Sequence, residues 1–357
     1  MIKVNKKINI LHVSCFKNVT PPQKYGGTER LVHHLCESLS TKGFDVLLVG
    51  LRGSKGGPYK MVNTNKEFLL KTVKDLIKKF KPQIVHLHFK DEELIRFLMK
   101  NKISVVVTLY NNIRKDSTWI NVIQSAPKNF FFTAISENLK NRANSFSNTK
   151  RVVVTRPCYD MSLYLNTKKV KNGEYFLYLG VIARYKSVLD IAKAFSKLKE
   201  KLFIVGPCND KNQAPYFKEI LKYVNSFDNI KYLGETNSEN EKIQILKNSK
   251  AVILATGYDR QERNCHEAFG LTMLEANCLG IPVVGYDHGN ISDYVRHQKN
   301  GLKFRNKKEL INSVNIISKT NHKWTKSCKD AVKKFNSKNT VLDYARLYKR
   351  IILDNKS

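Results

Sequence analysis

The chain has 357 residues, 42% of them hydrophobic, a length that suits two α/β domains better than one core, and no apolar run approaches the roughly 18–20 residues that cross a bilayer. Its seven cysteines are odd in number, scattered and without a Cys-x-x-Cys pair, which argues against a disulfide framework or a zinc ribbon. The net charge of +33 favours phosphate-rich partners. However, 28 Lys and Arg stand against 11 Asp and Glu in residues 1–160, and 35 against 19 in the remainder. That even spread is unlike a dedicated nucleic-acid arm and reads most simply as a bias toward Lys.

The N-terminal MIKVNKKINILHV has an apolar run too short for a secretory leader. It reads as a first buried strand of a soluble, cytoplasmic protein. Further Val- and Ile-rich runs follow, separated by turns and amphipathic stretches, as in parallel sheets covered on both faces. In the first half they are INILHV (8–13), DVLLVG (45–50), IVHLHF (84–89), SVVVTLY (104–110), FFTAIS (131–136) and RVVVT (151–155). In the second half they are YFLYLG (175–180), KLFIVG (201–206), IKYLG (230–234), AVILAT (251–256), PVVGY (282–286) and GLKF (301–304). A boundary is expected near 156–172. The expected domains are 1–160, 161–338 and a basic helical tail, 339–357.

Ligands of such sheets bind beyond the carboxyl ends of strands, so the loops there were read for chemistry. After INILHV comes PPQKYGGTER, where Gly26 and Gly27 precede a helix expected over Thr28–Lys42. Backbone amides at such a point can approach a phosphate, and Thr28 is placed to cap the helix. A plain turn is the commoner use of that pattern. After YFLYLG, closed by Gly180, come the cations Arg184 and Lys186, suited to a diphosphate. After AVILAT, the stretch EAFGLTMLEANCLGIP (267–282) puts Glu267 at the mouth of a helix and Glu275 about two turns along it. One carboxylate can meet sugar hydroxyls and the other ribose hydroxyls, while the amides around Phe269, Gly270, Leu271 and Thr272 can receive phosphate. His86 and His88 share one strand face, with His88 nearer the carboxyl end.

Over almost its whole length the sequence resembles the family 4 retaining glycosyltransferases of the GT-B fold. The residues that carry this are the Glu267/Glu275 pair with FGL between and GIPVV after it, PPQKYGGTERLVHHLCESLSTKGFDVLLVG, FTAISE (132–137), the LGE turn (233–235) and HGNISDYVRHQKNGL (288–302). The resemblance implies two Rossmann-like domains facing a cleft, with the C-terminal helix crossing back to the N-terminal domain. It implies a metal-independent transferase that keeps the anomeric configuration and needs no cofactor beyond a nucleotide-sugar co-substrate, most commonly a UDP-sugar. Gly26 and Gly27 would approach donor phosphates, Lys186 the diphosphate, Glu267 the donor sugar and Glu275 the ribose. Two positions depart from the family pattern. Val181 stands where the family places Arg, leaving Arg184 to supply the charge. Tyr110 stands where the family often has His, leaving His88 as a replacement contact.

The acceptor is read as a glycan, a lipid or another hydroxyl compound. The basic amphipathic stretch Lys71–Lys81 suits peripheral contact with an anionic membrane, and nucleic acid is the less favoured partner, since no aromatic–basic stacking motif is present. A nucleotide-sugar 2-epimerase, a phosphorylase and a sugar-nucleotide-binding protein of reduced activity remain open on the same fold.

Overall fold

The structure is a computed structural model and describes residues 7–24, 26–168, 173–320 and 323–354. Tyr25 of the glycine loop, residues 169–172 of the expected boundary and the first six residues lie outside that description. Two compact units are present: residues 1–160 with 334–357, and residues 161–333.

The first unit is built on seven parallel strands: β1 Asn9–Val13, β2 Asp45–Leu51, β3 Lys60–Thr64, β4 Ile84–Leu87, β5 Ser104–Leu109, β6 Phe130–Ala134 and β7 Val152–Val154. Their order across the sheet is β3-β2-β1-β4-β5-β6-β7. Six were expected. The seventh, β3, has the sequence KMVNT and lies at the sheet edge with only Thr64 buried. Its lack of an apolar run follows from that half-exposed position. The chain order reverses between β1 and β4, which creates a switch point where loops from adjacent strands diverge.

The last helix, Ser337–Asp354, belongs to this unit. Its apolar positions recur at helical spacing, and Val341, Tyr344, Tyr348 and Ile351 are buried. They share one core with Val32, Leu35, Cys36 and Leu39 of helix Gly27–Thr41 and with Ile10, Ile84 and Val106 of the sheet. Arg156 fastens the return of the chain: Nε and Nη2 donate to the two Asp343 carboxylate oxygens at 2.8 and 3.0 Å, and Nη1 to the Lys334 carbonyl at 2.9 Å. The planar guanidinium suits such a bidentate pair.

The second unit contains β8 Tyr175–Leu179, β9 Leu202–Val205, β10 Ile230–Tyr232, β11 Ser249–Leu254, β12 Val283–Tyr286 and β13 Gly301–Phe304. All six were expected, and they form a parallel sheet in the order β10-β9-β8-β11-β12-β13. Here the switch point lies between β8 and β11. Phe176, Tyr178, Phe195, Ile204, Ile253 and Phe304 lie in an apolar core of this unit. Each unit thus has the alternating strand–helix architecture of a Rossmann-like domain.

Candidate active site

The two most informative loops of the second unit flank its switch point. The loop after β8 forms a single 3-10 turn, Arg184–Lys186, and runs into helix Val188–Phe195. The loop after β11 leads to helix Leu271–Cys278. They meet where Lys186 Nζ lies 2.6 Å from Glu267 Oε2. Thr256, two residues past the end of β11, donates its hydroxyl to the same oxygen at 2.8 Å. Burial alone would push the Glu267 carboxyl up, but the Lys186 charge and the bonds from Lys186 and Thr256 together hold it below the usual carboxylate range.

Gly270 begins the helix with φ at +84°. A Cβ there would come within 2.5 Å of Met273 and 3.2 Å of Glu267, so the turn that seats Glu267 needs a residue without a side chain. The Phe269 carbonyl accepts from Asn290 Nδ2 at 2.5 Å, and Thr272 Oγ1 donates to the Leu179 carbonyl at the end of β8 at 3.2 Å. Leu271 is the first helical residue, so its amide and that of Thr272 are among those a helix leaves unbonded at its start. Gly180 follows β8 directly, and its amide donates to the Val205 carbonyl at 3.0 Å.

The other expected residues of this unit are placed differently. Glu275 lies in the same helix but is buried, and its Oε1 accepts from Lys242 Nζ at 2.7 Å. Arg184 is not brought onto Glu267. Its guanidinium faces Asp259 at 3.5 Å and lies over the Tyr216 ring at 5.1 Å.

In the first unit, Gly26 and Gly27 stand at the start of helix Gly27–Thr41. Gly26 has φ at +155°, and a Cβ would meet Pro22 at 2.6 Å. Thr28 does not cap this helix: it is the second helical residue, and the capping position falls to Gly26 without any side-chain bond. Glu29 holds the loop instead, its Oε1 accepting from the Asn18 amide at 3.1 Å. Burial pushes its carboxyl up against the lowering effect of the backbone bonds at Glu29 and Asn18.

His88 and Tyr110 follow β4 and β5, beside this unit's switch point. Both are buried, with His88 Nδ1 2.8 Å from the Tyr110 hydroxyl and His88 Nε2 2.9 Å from His12 Nδ1. His86, two residues earlier on β4, contacts the Tyr348 hydroxyl at 2.6 Å and Thr108 at 2.7 Å. Nitrogens of the three imidazoles lie within 4.8 Å of one another. Five of the six make the hydrogen bonds just given, and only His12 Nε2 has no partner. Burial lowers all three imidazoles, His12 to about 3, so they are neutral.

Sequence reasoning did not single out Thr256, Lys242, Asn290 or His12. Thr256 and His12 sit in recognised strand runs, and their place beside the switch points was the signal. Asn290 lies within the motif HGNISDYVRHQKNGL, which was the signal, whereas Lys242 carries no local signal, because contact with its partners is made only by folding.

Two parallel Rossmann-like units, the second with a carboxylate-bearing helix start at its switch point, define the GT-B glycosyltransferase fold. Residues 165–335, just under half of the chain, match the family model of glycosyl transferases group 1, so that stretch reads as a glycosyl transferases group 1 domain within a chain of GT-B fold. Among relatives, N-acetyl-alpha-D-glucosaminyl L-malate synthase of Bacillus anthracis is 23% identical over 61% of this chain and 60% of that protein. Glycosyltransferase 1 domain-containing protein 1 of Xenopus tropicalis is 26% identical over 44% of this chain and 46% of that protein. The chain thus matches less than two thirds of the length of either relative. The fold is shared with Anabaena HepE, solved with UDP and glucose, at a TM-score of 0.74, with 15% identity over 96% of this chain and 99% of that one.

Proposed function

We propose that this chain is a retaining glycosyltransferase that moves a hexose from a nucleotide-sugar, a UDP-sugar in the favoured case, to a hydroxyl of a glycan or lipid acceptor. The observation that carries this reading is the Lys186–Glu267 pair at the switch point, beside the helix start at Gly270. The neighbour solved with UDP and glucose supports a uridine nucleotide by analogy of fold alone.

In this reading the diphosphate approaches Lys186 and the amides of Gly270, Leu271 and Thr272. Departure of the nucleotide leaves negative charge on the β-phosphate. A lysine ammonium and a helix N-terminus meet that charge where it develops, so no metal ion is required for the purpose. Glu267, kept ionised by Lys186 and Thr256, accepts hydrogen bonds from the donor sugar. The acceptor hydroxyl attacks from the face the nucleotide leaves, which keeps the anomeric configuration without a protein nucleophile. Arg184, engaged with Asp259, holds the loop after β11.

Among the described residues no helix is long and apolar enough to cross a membrane. Helix Leu69–Phe80 carries Lys71, Lys74, Lys78 and Lys79 and buries only Leu69 and Val73. We assign it to peripheral contact with anionic lipid in a cytoplasmic protein. Transfer is tested with UDP-, GDP- and ADP-sugars and mixed hydroxyl acceptors. Nucleotide release that needs acceptor supports a transferase, and conversion of the donor to its C2 epimer without net nucleotide release supports an epimerase.

A further inference from the structure

Glu275 is read above as a ribose contact, yet its carboxylate is already engaged. Lys242, on helix Glu239–Lys247, places its ammonium 2.7 Å from Glu275 Oε1 and 2.9 Å from Glu239 Oε1. Side-chain exposure is 4% for Glu275, 14% for Lys242 and 25% for Glu239. The innermost charge is therefore the carboxylate on the helix that begins beside Glu267. The Tyr164 hydroxyl donates to Glu239 Oε1, and the Lys242 ammonium lies 5.4 Å from the Tyr164 ring centroid. Helix Glu239–Lys247 is itself fixed at its start, where Ser238 Oγ accepts from the Glu241 amide at 3.1 Å and Glu241 Oε2 accepts from the Asn237 amide at 2.7 Å. Lys242 thus stands on a built platform between two helices.

We infer that Lys242 is a positioning residue for nucleoside recognition: it holds the Glu275 carboxylate in the orientation that accepts the vicinal hydroxyls of a ribose. The inference rests on the reading of Glu275 as a ribose contact. A carboxylate buried this far is costly without a cation close by. An ionised carboxylate accepts from two neighbouring hydroxyls at once, and charge-assisted bonds of this kind are stronger than neutral ones. Lys242 need not touch the nucleotide. Its effect passes through one oxygen pair and falls on the ribose alone.

That specificity separates positioning from a tie that merely joins two helices. The probes are UDP, GDP and ADP, and the 2′,3′-dideoxy form of whichever binds most tightly, titrated calorimetrically into the full chain and into K242Q and K242R. Wild type should prefer the ribonucleotide by about tenfold or more, as expected for loss of charge-assisted hydrogen bonds. K242Q should lose most of that preference while binding the dideoxy form as wild type does. K242R, which keeps the charge, should retain most of it and guards against a folding defect in K242Q. Equal weakening of both ligands in K242Q, or a preference that survives intact, overturns the role of Lys242. Failure of wild type to bind any of the three nucleotides overturns the donor-site reading itself, and the two failures are therefore distinct.

Discussion

Lys186 Nζ and Glu267 Oε2 lie 2.6 Å apart although 81 residues separate them in the chain. Two loops on either side of the β8/β11 switch point bring them together. In the proposed function a diphosphate competes with Glu267 for the lysine, and sugar hydroxyls in turn satisfy the carboxylate.

Exchange of either partner should therefore harm transfer more than folding. Loss of one electrostatic contact at a reacting diphosphate typically costs about 10²–10³ in kcat. Lys186→Ala is expected to fall in that range with any accepted donor. Glu267→Gln should lose more than tenfold in kcat/KM, as expected when a charged acceptor is removed from a site built for hydroxyls. Steady-state rates beside circular dichroism check both.

The Glu267 carboxyl is held below its ordinary 4.5 in the folded protein. A depressed folded value gives stability that is fully present above the unfolded pKa and lost as pH falls through the folded one. Wild type should therefore lose melting temperature below about pH 4.5, and Glu267→Gln should show a shallower loss, measurable by thermal unfolding across acid pH.

Glu29 behaves in the opposite sense. Its folded carboxyl is raised by burial, so folding favours the protonated form and the contribution to stability declines as pH rises through the range near 4.5 and above. Glu29→Gln keeps an acceptor for the Asn18 amide and removes the buried charge. Its melting temperature at pH 7 should equal or exceed that of wild type.

Tyr348 of the last helix reaches across to His86 at 2.6 Å. Tyr348→Phe leaves a buried imidazole nitrogen without its partner, which costs about 1–3 kcal/mol. Chemical denaturation should show the loss, and hydrogen exchange should place it in residues 337–354 and β4.

Charge reversal on helix Leu69–Phe80, as Lys71→Glu with Lys78→Glu, should abolish flotation with vesicles containing anionic lipid at low salt. Transfer to a soluble acceptor should remain unchanged, since neither lysine is assigned to the site.

Most of the fold was legible because parallel strands buried on both faces read as apolar runs, and twelve of the thirteen strands in the described residues have one. β3 escaped since an edge strand needs no such run. In the site, Glu267, Gly270 and Lys186 were legible because backbone geometry and charge fix the residue types allowed there. Lys242 was not, because nothing local to it marks the partners that folding brings to it. Arg184 shows the converse: its charge was visible in the sequence, but the direction of its side chain toward Asp259 was not. Thr28 looked like a cap by residue type, but Gly26 takes that position because the close approach of Pro22 leaves no room for a side chain there.

The proposal that the Lys186–Glu267 pair forms a nucleotide-sugar site is tested by calorimetric titration of UDP-, GDP- and ADP-sugars into wild type, Lys186→Ala and Glu267→Ala. The expected result is saturable binding of at least one donor to wild type, weakened about tenfold or more in each variant, as loss of a charge-assisted contact implies. Wild type that binds none of these donors, or variants that bind as tightly as wild type, would contradict it.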